Sequence, residues 1–161
     1  MSKPFMALFA AFAVLALVAG CGGGSDSTGT ETTTSSLTKS EFLKQGNAIC
    51  ARGNTEIEDG FEEFGKEHNF SKKHEPTQAE LEEAAETVLI PSIRQELDDI
   101  RALGAPQGEE AEIEAILAAA EKALKKGEED PGAMIEEGEG PFAEANKLAR
   151  EFGLVKCGEE E

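Results

Sequence analysis

The chain predicts an all-α fold, an up-down bundle of four helices, and three observations lead there. From residue 37 to 161 apolar side chains recur at steps of three and four, the period of one helix face. Two Thr-x-x-Glu sequences, Thr38–Glu41 and Thr77–Glu80, stand directly ahead of such stripes, as capping boxes do. Alternating runs of β-branched residues, which mark strands, are missing. The stretch 37–161 is long enough for one domain that buries about two-thirds of its surface.

The first helix is expected from the box at Thr38. Its stripe runs through Phe42, Leu43, Gly46, Ile49, Cys50, Gly53, Ile57, Phe61 and Phe64, with Lys44, Arg52, Glu58, Glu62 and Glu63 opposite. Gly46 and Gly53 lie one heptad apart on the stripe, which predicts close backbone approach by a neighbouring helix. Residues 67–76 read as a loop. The second helix starts at Thr77 and carries Leu81, Ala84, Ala85, Val88, Leu89, Ile93, Leu97, Ile100 and Leu103 inward. Pro91 lies inside it and predicts a kink, because the ring removes a hydrogen bond and clashes one turn back. Gly104 and Pro106 end it.

A third helix is expected from about Gln107 to Lys126, with Ile113, Ile116, Leu117, Ala120 and Leu124 inward and Gly127 as its stop. Asp130-Pro131 reads as an N-cap followed by proline at the first helical position. The helix so begun is broken near Gly140, at Gly138-Glu139-Gly140-Pro141, and resumes through Phe142, Ala145, Ala149 and Phe152. Gly153-Leu154 reads as a Schellman stop.

Ahead of the domain lie two segments of different character. Residues 1–20 read as a lipoprotein signal peptide. Lys3 gives a positive start, and Phe5–Val18 is unbroken apolar sequence, which as a helix rises only about 21 Å. That is short of the ~30 Å bilayer core, and such segments are commonly signal-peptide cores. Val18, Ala19 and Gly20 then precede Cys21, the thiol expected to receive lipid and become the first mature residue. One diacylated cysteine supplies two chains, enough for stable anchoring to a membrane. Residues 21–36 are Gly, Ser and Thr with two acids, a flexible linker that cannot bury apolar surface.

The chain holds 15 basic and 33 acidic residues, and loss of Lys3 with the leader takes the net charge from −18 to −19. Nucleic acid and anionic headgroups repel such a body, so no nucleic-acid partner is expected. Cations or a basic protein of the envelope remain as electrostatic partners. Of three cysteines, lipidation of Cys21 leaves Cys50 and Cys157, and two thiols outside the cytoplasm pair as a rule. The competing reading makes Cys50 a nucleophile. Its available partners are His68 and His74, both in a polar Lys/Glu-rich stretch, and no signature surrounds it.

Three short motifs carry a resemblance: Phe42-x6-Ile49-Cys50-Ala51, Leu97-x2-Ile100-x2-Leu103-x2-Pro106, and Phe152-Gly153-Leu154-x2-Cys157-Gly158. Together they resemble a group of small secreted or lipid-anchored helical proteins from actinobacteria, over most of residues 38–158. The resemblance implies an actinobacterial cell envelope and a paired Cys50 and Cys157. It brings no catalytic residue with it. Residues 69–76 depart from the pattern.

Other chemistry finds little footing. A di-iron bundle needs Glu-x-x-His on inward faces, yet Gly65 and Ser71 stand three residues before His68 and His74. Zinc needs more Cys or His than this chain has left, and calcium loops need spaced acids around a glycine. Glu128-Glu129-Asp130 and the acids at 136, 137 and 139 lack that order. No phosphate loop or nucleophile elbow occurs. The mature aromatics are six phenylalanines on apolar stripes. No catalytic residue, metal or cofactor is therefore expected. The chain reads as a non-enzymatic, membrane-tethered binding or interaction module of the cell envelope. The alternative is a small-ligand carrier with an apolar cavity lined by Val88, Ile93, Ile116 and Phe142.

Overall fold

Thr38 starts the first helix as its sequence requires. In the computed structural model, which describes residues 37–135 and 140–159, α1 spans Lys39–Glu67. The Thr38 side chain accepts from Glu41 N–H while the Glu41 carboxylate accepts from Thr38 N–H at 3.0 Å, a complete capping box. The leader, the linker with Cys21, and residues 136–139 lie outside the described residues.

A second complete box at Thr77 and Glu80 opens α2, Gln78–Ala84. Ahead of Pro91 the helical turn widens. A π turn over Ala85–Leu89 leads directly into α3, Ile90–Ala102, and Ile90 N–H bonds to Ala85 carbonyl. Widening the turn just ahead of the ring accommodates a residue that can donate no hydrogen bond. Helical backbone therefore continues without a break from Gln78 to Ala102. Gly104, at φ +68, turns the chain out of it.

The third helix, α4, spans Glu110–Glu129 and does not stop at Gly127. Gly127 is a buried interior position facing Met134, whose Sδ fills the space a Cβ would need. The glycine serves packing rather than termination. Asp130 makes no side-chain cap, and Pro131–Met134 forms only a 3₁₀ turn, not the start of a long helix. The last helix, α5, spans Ala143–Phe152. It ends as expected: Gly153 takes φ +111, Leu154 N–H bonds to Ala149 carbonyl at 2.8 Å and Gly153 N–H to Arg150 carbonyl at 3.1 Å. Those are the two bonds of a Schellman motif.

All described regular structure is helical, so the fold is all-α, and no described helix is long and apolar enough to cross a membrane. The core joins α1, α3, α4 and α5 through Phe42, Ile49, Cys50, Ile100, Ile113, Ile116, Ala149, Phe152 and Leu154. Phe42 and Phe152 meet edge to face at 6.0 Å, an aromatic geometry worth about 1 kcal/mol beyond burial. Glycines on α1 set its approach to its neighbours. A Cβ on Gly46 would stand 2.6 Å from Leu154 Cδ2, and one on Gly60 the same distance from Val88 Cγ1. The expected backbone-to-backbone approach at Gly46 and Gly53 does not occur: the side chains of Leu154 and Glu96 fill the glycine notches instead. Exposed ion pairs Arg52–Asp99, Arg94–Glu128 and Arg101–Glu121 stitch α1 to α3 and α3 to α4, each contributing about 0–1 kcal/mol.

Candidate functional site

The middle of α1 meets the C-terminal tail at a disulfide. Cys50, fully buried, bonds to Cys157 across 107 residues, with their Cα atoms 4.9 Å apart. The tail reaches that point because two asparagines on α1, one heptad apart, hold its backbone. Asn47 donates to Gly153 carbonyl at 3.0 Å and accepts from Lys156 N–H at 2.8 Å. Asn54 donates to Lys156 carbonyl at 3.2 Å. Arg150 adds a bond to Gly158 carbonyl at 2.5 Å. Both asparagines escape a reading of apolar stripes, since each looks like an ordinary polar position. Their seven-residue spacing beside Cys50 is the signal that points to them.

Glu96 of α3 lies against this junction. Burial pushes its carboxyl up to about 7 against the partial counteraction of Arg52, while Asp99 and Glu56 add to the rise. Arg52 is engaged elsewhere, 2.5 Å from Asp99 and 3.7 Å from Glu56. Among the described residues Glu96 has no hydrogen-bond or ion-pair partner. Gly53 makes its place: a Cβ there would collide with the Glu96 carboxylate. Sequence also marks Glu96, because 89, 93, 96, 100 and 103 step by four and three, putting an acid on the inward stripe.

A cavity of about 110 Å³ opens beside these groups, lined by Ile57, Ile93, Glu96, Ile116, Phe142 and Asn146 among others. Three of the four residues expected around a cavity are there. Val88 is not, because it packs over Gly60. The volume is well below the roughly 300 Å³ at which drug-sized ligand sites begin. Larger depressions, up to about 440 Å³, are open surface grooves. The space beside Glu96 has room for only a few water-sized molecules.

The two sulfurs and a Glu96 oxygen lie within 4.8 Å of one another. As a disulfide, Cys50 and Cys157 offer a metal no thiolate, so this trio holds no ion while the bond is intact. Nor does it place a base beside a free nucleophile: His68 and His74 flank Glu80 in the connection ahead of α2, while Cys50 is bonded to Cys157. The chain was compared with protein-family models, with curated proteins and with solved structures, and nothing matches it.

Proposed function

We propose that this chain is a membrane-tethered extracytoplasmic lipoprotein whose helical body is a non-enzymatic binding or interaction module of an actinobacterial-type cell envelope. The observation that carries the reading is the meeting of Cys50 and Cys157. It consumes the two cysteines of the body and leaves Cys21, behind its apolar leader, as the thiol to be acylated. A disulfide of this span suits an oxidising compartment. The body is read as an up-down four-helix bundle. Gly46, Gly53 and Gly60 meet Ile100, Glu96 and Val88 in reverse order, and Arg94 and Arg101 pair with Glu128 and Glu121 in the same sense. Both patterns support antiparallel neighbours.

The carrier alternative draws on the cavity beside Glu96 but is disfavoured by its volume, which admits only a few heavy atoms. Intact mass and membrane fractionation of native protein test the main reading. The expected result is loss of residues 1–20, an acyl mass on Cys21, and release from the membrane in Cys21→Ser. Residue 1 retained with no acyl mass would overturn it. Affinity capture from intact envelope tests the module: a partner should enrich above the Cys21→Ser control.

A further inference from the structure

Opening the Cys50–Cys157 bond creates a charge in a place that resists one. Cys50 is fully buried and Cys157 half-buried, so an entering thiol reaches the Cys157 sulfur. Attack there expels the Cys50 sulfur as a thiolate. Little stands ready to stabilise that anion. Helices α4 and α5 and the tail line the adjoining cavity with apolar side chains, Asn146 and Cys157, and add no charge. Arg52 on α1 is paired with Asp99 and Glu56. A lone anion in such surroundings is costly, so exchange at Cys50 depends on a proton.

Glu96 is placed to supply it. One of its oxygens lies within 4.8 Å of both sulfurs, a span that a single water bridges with two hydrogen bonds of about 2.8 Å. The cavity of about 110 Å³ borders Cys50, Cys157 and Glu96 alike and has room for that water. The charged groups acting on the carboxyl are Arg52 and Glu56 of α1 and Asp99 of α3. With burial they leave it at about 7, half protonated near neutral pH, where an acid and base work best. The tail also has its own hold on α1, because Asn47 and Asn54 bond its backbone at Gly153 and Lys156. Cys157 therefore stays beside Cys50 when the bond opens.

We propose that Cys50–Cys157 is an exchangeable disulfide, opened and closed by small dithiols, in which Glu96 relays the proton to and from the Cys50 sulfur. One thiol of the dithiol releases its proton to solvent, and its thiolate attacks Cys157 Sγ. A mixed disulfide forms, the Cys50–Cys157 bond breaks, and Cys50 Sγ takes the electron pair. The Glu96 carboxyl protonates that sulfur and becomes a carboxylate. The second thiol passes its proton to Glu96 as its sulfur attacks the first, closing the reductant's own disulfide. Cys157 Sγ is expelled and takes a proton from solvent. Two electrons and two protons have moved from the dithiol to the cysteine pair, and Glu96 ends as it began. In the reverse direction the carboxylate is the base that activates Cys50. This chemistry goes beyond the envelope reading and does not depend on lipid at Cys21.

Reduction of the folded full chain by dithiothreitol tests it, in a Cys21→Ser background so that no third thiol takes part. Free thiols are trapped by alkylation and counted by mass. The rate per reductant thiolate should fall about tenfold or more from pH 6.5 to pH 8.5, as Glu96 loses its proton. Glu96→Gln keeps the shape without the acid proton, so it should be about tenfold slower than the parent at pH 6.5 and show no such fall. Glu56→Gln alters only a neighbouring charge and should keep the fall. Opening by global unfolding has the opposite sign, because the buried carboxyl makes the fold less stable as pH rises. The relay is overturned by a flat or rising parent profile, by a fall that survives Glu96→Gln or vanishes in Glu56→Gln, or by equal rates of parent and Glu96→Gln at pH 6.5.

Discussion

Glu96 extends into the core of the α1–α3 contact through the gap that Gly53 leaves. An acid and a glycine on facing helices thus form one unit: the missing Cβ provides the room, and the carboxyl occupies it without an ion-pair partner among the described residues. The cost of that arrangement is electrostatic, and it sets how stability depends on pH.

The Glu96 carboxyl, at about 7 in the folded chain against an ordinary 4.5, binds its proton more tightly folded than unfolded. Its contribution is therefore fully present at low pH, falls as pH rises from about 4.5, and is lost above about 7. Glu96→Gln keeps the shape and removes the charge. The stability difference between variant and parent should widen in the variant's favour by roughly 2–3 kcal/mol from pH 5 to pH 8, measured by urea unfolding. A difference independent of pH would refute the burial account.

Gly53→Ala and Glu96→Ala should couple. With Glu96 present, a methyl at position 53 must displace the carboxylate, offsetting the gain in helix propensity. In Glu96→Ala the same change should stabilise by up to about 1 kcal/mol. A double-mutant cycle by thermal unfolding reads the difference, and strict additivity would show that the two positions do not interact.

Gly46→Ala should destabilise by roughly 1–3 kcal/mol through overpacking. Its new methyl meets Leu154, which is 1% exposed and has little freedom to move. Unfolding midpoints equal to the parent's would mean that the tail yields easily.

Replacing both Cys50 and Cys157 with alanine, or reducing the bond, should cost about 4–5 kcal/mol by the chain-entropy model for a closed loop of this length. Denaturant titration with and without a dithiol reductant checks it. Matching curves would show that the bond adds no stability.

The frame was legible where the cause is local. Thr38 with Glu41, Thr77 with Glu80, and Gly153 with Leu154 each satisfy orphan backbone groups within a few residues, so sequence alone locates them. Cys50 and Cys157 were legible by a different route, the count of thiols left once Cys21 is read as a lipidation site. What escaped depends on contacts distant in sequence. Gly127 looks like a stop until Met134 folds over it, and no residue pattern announces the π turn ahead of Pro91. Glu96 stands on the inward stripe, but the gap that receives its carboxyl is left by Gly53 on another helix. The convergence of His68 and His74 on Glu80 needs the turn at Ser71–His74, whose backbone pairing no side-chain pattern announces.

The sulfur bridge from mid-α1 to the tail encloses nearly all of the body in one covalent ring. A protease that nicks an exposed peptide inside that ring therefore liberates no fragment. The severed pieces stay attached as one particle, and the damage becomes visible only on a reducing gel.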